Sequence, residues 1–571
     1  MTALLSDELP ILHGCFPRAA VSYSSVMDDQ SAAGMSRSRR QDARGAICLP
    51  ARQAPYNSAA LVILAASLPI LVTGGIFFVD GPNHLFRVVL WEAMRTGELG
   101  DQFFHAGEDL YPNLAIDVIT GALSRVVPPA VALTLFICLG VGLYIFTTVW
   151  WRQRRGEKTD LPLLLIILLT AYSEPLYWGL FNYILGLGVM FVALHRAIEQ
   201  RKTHSGNFVA SQALIVGAMC LTSIFPVMLY VCFCLGMFLV AAHDDWRERR
   251  FADSAALIRS HWLSAAMVVV LVMVMEPGQT GKTEWHLATK VTGIFTVGKT
   301  TNLSLEYLLS LLVLGAIARL AWRRGMTIGR YELAGLIACC LLLVVMPKYL
   351  TGVGAADRRL VPAIVTIAVV FVRGPLPGMA KSDGVTTLLA GIVVVKLGLL
   401  LYLWAPLREL DAAYAQITKA MPPNAIVLFV PPVEETRPGA VERARRFVKL
   451  ASRLQPIPVS QAHVFVQHPH LLLRQLAGRN VLPTQVFSNF WAKRIPELRD
   501  FPDPATSQTV ADVAAALAWL PPDIVSHVIS HIDLDDALAP DILLRKIAEV
   551  GTVRLYSAAR AGPDLLQWPD G

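Results

Sequence analysis

Residues that can exchange a proton or bind an anion are clustered in the segment Asp80-Gly-Pro-Asn-His84-Leu-Phe-Arg87. If a helix begins near Gly81, His84 and Arg87 are three positions apart and share one face of it. Asp80 then lies at the N-terminal edge of the same helix. A carboxylate in this position can act as a general base, and a guanidinium can bind a phosphate.

A structural role for Asp80 is the alternative. Asp before Gly-Pro suits a helix N-cap, because its side chain accepts hydrogen bonds from the backbone N–H groups of the first turn. The two roles are compatible. A carboxylate at a membrane edge is also where a base for an interfacial substrate would lie.

The composition defines the class of protein that carries this segment. Of 571 residues, 54% are hydrophobic and 16% are charged, whereas soluble proteins carry about 25% charged residues. The mean hydropathy is +0.50. These values exclude an ordinary soluble enzyme and a disordered chain. The net charge of +7 does not indicate nucleic-acid binding, since many Lys and Arg residues flank apolar segments, where they set membrane orientation.

The apolar segments predict an α-helical polytopic membrane protein with about eleven transmembrane helices, each near 20 apolar residues. The predicted spans are 58–79, 129–151, 161–174, 178–197, 208–223, 225–242, 260–275, 303–321, 331–347, 359–373 and 385–405. Basic residues are concentrated before the first span and after every second one. The positive-inside rule therefore places the N-terminus in the cytoplasm and, with an odd number of spans, the C-terminus outside.

Three parts of the chain follow from this topology. Residues 1–57 are predicted to be a disordered cytoplasmic segment, 58–406 a transmembrane domain with a first outer loop at 80–128, and 407–571 a soluble outer domain. The last part carries equal numbers of basic and acidic residues and alternates strand-like and helix-like runs, which indicates an α/β fold. Its predicted strands are 425–430, 463–467, 524–531 and 553–556, and its predicted helices are 441–454 and 510–520.

Several stretches resemble one family. The Asp80–Arg87 segment, Trp91-Glu-Ala-Met-Arg-Thr-Gly-Glu-Leu and Tyr111-Pro-Asn113-Leu look like the first outer loop of C-type membrane glycosyltransferases (the GT-C superfold), in particular its bacterial mannosyltransferase-like branch. Tyr177-Trp-Gly-Leu-Phe-Asn-Tyr-Ile-Leu-Gly-Leu-Gly188 and Pro347-Lys348-Tyr-Leu-Thr-Gly-Val-Gly-Ala-Ala-Asp357-Arg358-Arg359 are also similar. The resemblance covers roughly 58–405. It implies a polyprenyl-phosphate-linked sugar donor, Asp80 as base, and the outer face of a bacterial cytoplasmic membrane.

Such a transfer has physical requirements that particular residues can meet. The acceptor hydroxyl loses a proton to Asp80, and the leaving phosphate needs cations. The candidate substrate-binding residues are His84, Arg87, Asn113, Lys348, Arg358 and Arg359. The spans supply a groove for the lipid, and the outer domain would bind a glycan, lipid or protein acceptor. Arg358 and Arg359 have an alternative role as interfacial anchors, and Asp357 as a simple ion-pair partner of Arg358.

Metal and cofactor chemistry has little support in the sequence. Gly81 follows Asp80 and the next acid is Glu92, so no Asp-x-Asp pair is present. We therefore predict no cofactor and no metal ligand set, with a divalent metal as the open alternative. His468 with His470, and His527 with His531, are interpreted as surface histidines, since a zinc site needs three or four ligands.

Other polar residues near the outer side have two interpretations each. Glu174 either points into an outer cavity or is a solvated turn residue, and Lys290 either contacts the donor or lies in a wet loop.

Two further function classes remain open. A transporter or flippase would show more acids within the spans, and a non-catalytic envelope-assembly protein would use the outer domain alone.

Overall fold

The structure is a computed structural model. It describes residues 54–74, 78, 81, 84–85, 87–89, 104–106, 113–203 except 158, 206–249, 261–270, 283–299, 303–324, 327–350, 356–373, 384–421, 426–430, 471–472, 486–488, 510–519, 527–534 except 532, 542–551 and 553–560. Residues 1–53 and 54–571 are separate units. Residues 1–53 of the predicted N-terminal segment lie outside the described residues, and its last four residues, 54–57, begin helix α1 rather than being disordered.

The second unit is mostly helical. Its helices are α1 (Ala54–Thr73), α2 (Leu114–Leu123), α3 (Pro129–Arg154), α4 (Leu161–Ala171), α5 (Glu174–Tyr177), α6 (Phe181–Thr203), α7 (Gly206–Thr222), α8 (Ile224–Arg247), α9 (His261–Val270), α10 (Leu287–Gly293), a 3₁₀ turn (Ile294–Gly298), α11 (Leu303–Arg324), α12 (Arg330–Val345), α13 (Leu360–Phe371), α14 (Gly384–Thr418) and α15 (Val510–Trp519).

A proline and an aspartate fix the first residues of helices α3 and α4. Pro129 opens α3, where its missing N–H would have no helical partner. Asp160 caps α4 by accepting a hydrogen bond from the backbone N–H of Leu163 at 3.4 Å.

The helices indicate a membrane protein. A helix overlaps each of the eleven predicted spans, and the described residues contain five helices long and apolar enough to cross a bilayer. These five are Pro129–Arg154, Phe181–Glu199, Ile224–Arg247, Leu305–Trp322 and Gly384–Tyr402. The other overlapping helices are shorter, so the count of eleven stays a prediction. Helix α14 also continues past the predicted domain boundary at 406 as far as Thr418.

The helices pack around α3 and α4. Helix α3 contacts α1, α2 and α6, while α4 contacts α13 and α14, and α8 packs along α12. Every residue of α4 except Leu161 is buried, which explains why its sequence is apolar on all sides.

Ionic clusters lie at opposite ends of α13. At its C-terminal end, Arg152 Nη1 donates to the carbonyls of Val369, Val370 and Val372 at 2.9–3.1 Å. Glu332 bonds Arg155 and Arg373 at the same end. At its N-terminal end Arg358 bonds Glu174. Twelve residues separate the two ends, which is about 18 Å of helix.

A small sheet lies in the C-terminal part of the chain. Its strand order is β3-β2-β5-β7-β6, with β2 (Ile426–Val430), β3 (Leu471–Leu472), β5 (His527–Ser530), β6 (Ile542–Val550) and β7 (Val553–Arg560). Strand β2 runs parallel to β3 and β5, and β7 runs antiparallel to β5 and β6. Helix α14 contacts β6 and β7, so one continuous helix joins the apolar span to the sheet.

A second pairing joins the tail to the first predicted outer loop. Strands β1 (Phe104–Ala106) and β4 (Val486–Ser488) form an antiparallel two-stranded sheet in which His105 pairs with Phe487. The loop that carries Asp80 and the C-terminal part of the chain are therefore connected by backbone hydrogen bonds.

The predicted elements of the tail have mixed outcomes. The predicted strands at 425–430, 524–531 and 553–556 overlap β2, β5 and β7, and the predicted helix at 510–520 overlaps α15. The predictions at 441–454 and 463–467, and the His468–His470 pair, lie outside the described residues. The interpretation of His527 and His531 as surface residues is wrong, since both are buried.

The close contact of α8 and α12 at Gly236 gives a stability prediction. A Cβ at this position would overlap the backbone oxygen of Ala334, so the helices must move apart. We expect Gly236→Ala to destabilise the protein by about 1–3 kcal/mol, measured as a lower thermal-unfolding temperature in detergent.

Gly391→Ala is the matched control for this prediction. Gly391 lies in α14, and a Cβ there meets no heavy atom within 4 Å. Alanine should be neutral or stabilise the helix by up to about 1 kcal/mol. Equal unfolding temperatures for both variants would contradict the packing described for Gly236.

Candidate functional site

The candidate site is built on the junction, which we define as residues 174–183. It contains α5 and the first turn of α6 and follows the buried helix α4. Gly179 has φ of +81°, a conformation that glycine adopts without strain. This residue lets the chain turn from α5 into α6, and the turn exposes backbone and side-chain groups to neighbouring segments.

Four predicted substrate-binding residues contact the junction. His84 Nε2 donates to the carbonyl of Gly179 at 2.9 Å. Asn182 Nδ2 donates to the Asn113 carbonyl at 2.6 Å, and the Tyr183 hydroxyl donates to the Arg359 carbonyl. Arg358 Nη1 donates to Glu174 Oε1 at 3.3 Å. The junction therefore gathers residues that lie far apart in the sequence.

Glu174 is the charged centre of the junction. Its side chain is about 3% exposed, and its Oε1 accepts from Trp178 Nε1 at 3.0 Å and lies 3.9 Å from Lys299 Nζ. The other oxygen, Oε2, has no hydrogen-bond partner among the described residues. The interpretation as a solvated turn residue is therefore wrong. Burying a carboxylate is costly unless cations surround it, which is the arrangement found here.

Ionisable side chains from two apolar helices extend this cluster. Lys299 Nζ lies 3.2 Å from Glu306 Oε2 in the first turn of α11. Lys396 Nζ, on α14, donates to the Val297 carbonyl at 2.8 Å. Arg358, Glu174, Lys299, Glu306 and Lys396 thus alternate in charge, and all except Arg358 are buried.

The 3₁₀ turn that carries Val297 lies beside an apolar part of α14. Lys396 precedes Tyr402, the end of the apolar stretch, by six residues, which is about 9 Å of helix. Sequence reasoning missed Lys299, Glu306 and Lys396. For Glu306 and Lys396 the signal was the charge itself, since an acid or lysine within an apolar span marks a functional site by default. Lys299 precedes the predicted span 303–321, so it gave no such signal.

A second buried ion pair fixes the loop before α13. Asp357 Oδ2 lies 3.0 Å from Lys290 Nζ and accepts from the Thr289 hydroxyl at 2.6 Å. Asp357 therefore pairs with Lys290 rather than with the guanidinium of Arg358, contrary to expectation. The interpretation of Lys290 as a wet-loop residue is also wrong, since Lys290 is buried.

Lys348 is connected to this loop through the backbone. Its carbonyl accepts from the Ala356 N–H at 3.0 Å, and its own N–H donates to the Glu284 carbonyl at 2.7 Å. Its ammonium lies 4.8 Å from the ring centre of Tyr349. Lys348 is therefore held close to Asp357 and Arg358 in the fold.

Arg87 makes a separate contact. Its Nη2 lies 2.8 Å from Asp117 Oδ1 in the first turn of α2, so the guanidinium holds the first loop against α2. Residues 81, 84, 85 and 87–89 are helical, as the Asp80 segment predicted. Asp80 itself lies outside the described residues, and its predicted role as base stays a prediction.

Within the described residues, no group of three His, Cys, Asp or Glu side chains is placed to hold a metal ion.

Comparison of the chain with protein-family models, curated proteins and solved structures finds no match in any of the three. The function proposed below is therefore argued from the geometry of the junction and from the sequence pattern.

The electrostatics of His84 follow from its position. Burial, reinforced by the nearby Arg87 charge, lowers the pKa of His84 from 6.5 to about 3. The imidazole is therefore neutral at neutral pH, with Nε2 as donor to Gly179. Its Nδ1 is buried and has no partner among the described residues, which leaves an acceptor beside the junction.

This shift gives a pH prediction. The unfolded chain binds a proton at His84 below about pH 6.5, whereas the folded chain does not until about pH 3. Stability should therefore fall as the pH decreases through this window, by about 1.4 kcal/mol per pH unit for a single site. His84→Asn should remove that contribution, measured as a shallower fall of the unfolding temperature between pH 6.5 and pH 4.

His286→Asn is the control, because His286 is half exposed beside Glu284 and is not buried in the junction. If the His84 and His286 variants show the same pH dependence as the wild type, the burial described for His84 is contradicted.

Proposed function

We propose that this protein is an integral-membrane glycosyltransferase that transfers a sugar from a polyprenyl-phosphate donor to a cell-envelope acceptor. The observation that carries the proposal is the buried Glu174 carboxylate between Arg358 and Lys299. It lies at the junction that also holds His84 and the backbone of Asn113 and Arg359. A cationic cluster anchored in this way suits the phosphate of a lipid-linked donor.

The chemistry assigns each group one task. The acceptor oxygen forms a bond to the anomeric carbon of the donor sugar, and the bond from that carbon to the phosphate oxygen breaks. Asp80 takes the hydroxyl proton, and the lipid phosphate leaves with the electron pair. A single displacement of this kind inverts the anomeric configuration.

Arg358 is the best placed cation for the leaving phosphate. Its side chain is 31% exposed while Lys299 is 2% exposed, so Arg358 is the member of the cluster that a ligand can reach. Thr292 Oγ1 and Glu174 Oε1 hold the guanidinium from two sides, at 3.2 and 3.3 Å. Glu174 is therefore a positioning residue, because it orients Arg358 and Lys299 before the donor binds.

The same proposal assigns the finer architecture. It takes the helical unit as a GT-C-like domain with about eleven spans, in a bacterial cytoplasmic membrane with the N-terminus inside. The junction and the tail then face the outside. The pairing of β1 with β4 supports a role for the tail beside the Asp80 loop, where it would bind a glycan, lipid or protein acceptor.

The test of the proposal is complementation of a deletion strain. We expect deletion to remove a sugar from the cell-envelope glycans, wild type to restore it, and Asp80→Asn to leave it absent because the base is lost. Asp101→Asn, a change of another acid in the same predicted loop, is the matched control and should restore the sugar.

Membrane insertion of each variant is confirmed by immunoblotting of the membrane fraction. Restoration of the sugar by Asp80→Asn would show that Asp80 is a helix cap and would overturn its catalytic role. An unchanged glycan profile in the deletion strain would overturn the glycosyltransferase proposal.

Transport is a second candidate function, favoured by one observation. Glu306 and Lys396 are buried ionisable residues within the apolar stretches of α11 and α14, as membrane transport paths require. Glu306→Gln distinguishes the two functions. If the protein is a transporter, Glu306→Gln should abolish uptake or lipid flipping and leave glycosyl transfer measured in vitro unchanged. If it is a glycosyltransferase, the deletion strain should show no transport defect.

A further inference from the structure

A cavity lies between three helices away from the junction. Its volume is about 300 Å³, and its walls come from α6, α8 and α9. This size is at the lower end of the range for small-molecule sites, about 300–1,000 Å³. The lining is almost entirely apolar and includes Tyr230, Leu235, Phe238, Trp262 and Val268. Leu235 and Trp262 are also exposed, so the cavity opens sideways from the bundle, toward the bilayer.

A cation lies beside one end of the cavity, outside its lining. Ala197 lines the cavity, and its neighbour Arg196 places its guanidinium 5.6 Å from the ring centre of Phe208. The Phe208 ring lies 5.8 Å from that of His261, which is also part of the lining. Arg196, Phe208 and His261 therefore form a continuous rim.

Charges of both signs lie near this rim. Arg154, Arg155, Arg196 and Glu199 all act electrostatically on His195, the neighbour of Arg196 in α6. Arg155 is paired with Glu332, and Asp245 is buried one turn beyond the lining residue Ala241 of α8. His195 packs between Trp150 and Trp151. Arginine beside tryptophan is the side-chain combination that marks the headgroup level of a membrane.

Two buried polar groups at the site have no partner among the described residues. Ser264 is 4% exposed, lines the cavity, and its hydroxyl makes no hydrogen bond there. Beside the lining, Arg196 Nε is also buried without a partner, while Nη2 of the same guanidinium donates to the Ser211 hydroxyl. Such groups are costly when left unsatisfied, and a ligand with a polar head and an apolar chain would satisfy them and fill the cavity.

We infer that this cavity binds one anionic phospholipid, with an acyl chain between α8 and α9 and the headgroup phosphate at Arg196. The inference depends on the membrane placement that the apolar helices indicate, and it is independent of the glycosyltransferase proposal. Basic pockets between membrane helices are known sites for anionic headgroups, and the charge of Arg196 favours phosphatidylglycerol over a zwitterionic lipid.

The experiment uses the full-length protein in detergent, titrated with dioleoyl phosphatidylglycerol or dioleoyl phosphatidylcholine and read by native mass spectrometry. We expect one phosphatidylglycerol molecule to bind more tightly than phosphatidylcholine. Arg196→Gln should weaken phosphatidylglycerol binding about fivefold and leave phosphatidylcholine binding nearly unchanged, since a basic residue near an anionic lipid contributes about that factor.

Arg319→Gln is the matched control, because Arg319 is an exposed arginine of α11, a helix that contributes no residue to the cavity lining. It should bind both lipids as the wild type does. Ala265→Phe is a second test variant, since Ala265 is exposed and lines the cavity, so a larger side chain blocks the mouth without entering the core. It should reduce binding of both lipids.

The outcomes are distinct. Equal binding of the two lipids by wild type, or equal losses in the Arg196 and Arg319 variants, would overturn the inference. Unchanged lipid binding by Ala265→Phe would overturn the placement of the acyl chain. If glycerol 1-phosphate alone competes as well as the whole lipid, the site takes a free phosphate ester and the lipid assignment is wrong.

Discussion

The buried Glu174 carboxylate is the constraint on which the site end of the bundle depends. It has lost nearly all contact with water and is surrounded by the indole N–H of Trp178 and by the cations Arg358 and Lys299. A buried charge of this kind is stable only if its partners stay in place. Because these partners come from the junction, the loop before α13 and the turn before α11, one side chain ties three separate parts of the chain together.

The opposite end of the bundle uses a different solution. There Arg152 donates to three carbonyl oxygens at the end of α13, and Glu332 holds Arg155 and Arg373. The Arg152 hydrogen bonds satisfy the last carbonyls of a helix, which otherwise lack partners. The three arginines of this cluster all lie at helix ends, so the cluster holds the ends of neighbouring helices together. The Glu174 cluster differs, because it extends into the apolar stretches of α11 and α14 through Glu306 and Lys396.

Much of the helical part was predictable because apolar length is a direct signal. The sequence located a helix in each predicted span, and the Asp-Gly-Pro start of the first loop led to helical residues at 81, 84, 85 and 87–89. Burial was not predictable in this way. Glu174 precedes a proline in a short connection, a context typical of solvated turns, and only the cations of distant segments make its burial possible. Lys290 was misjudged for the same reason, since Asp357 lies 67 positions away.

The sheet shows the same limit. Strands β5 and β7 carry alternating or β-branched residues that predict strands, but β6 is Ile-Leu-Leu-Arg-Lys-Ile-Ala-Glu-Val, a sequence rich in helix formers. Its antiparallel pairing with β7 overrides that local preference. For the candidate site, the sequence identified His84, Asn113, Arg358 and Arg359 from the pattern around them, while their common contact with the junction required the fold.

The central claim is that Glu174 and the cation Arg358 stabilise each other at the junction, and a double-mutant cycle on thermal unfolding tests it most directly. Glu174→Gln, Arg358→Gln and the double variant are compared with wild type in the full-length protein. A direct pair at 3.3 Å predicts strong non-additivity of the two losses in stability. The double variant should be little less stable than the less stable of the two single variants, and the coupling free energy should be about 0.5–3 kcal/mol. Additive losses would show that the two residues act independently and would contradict the account.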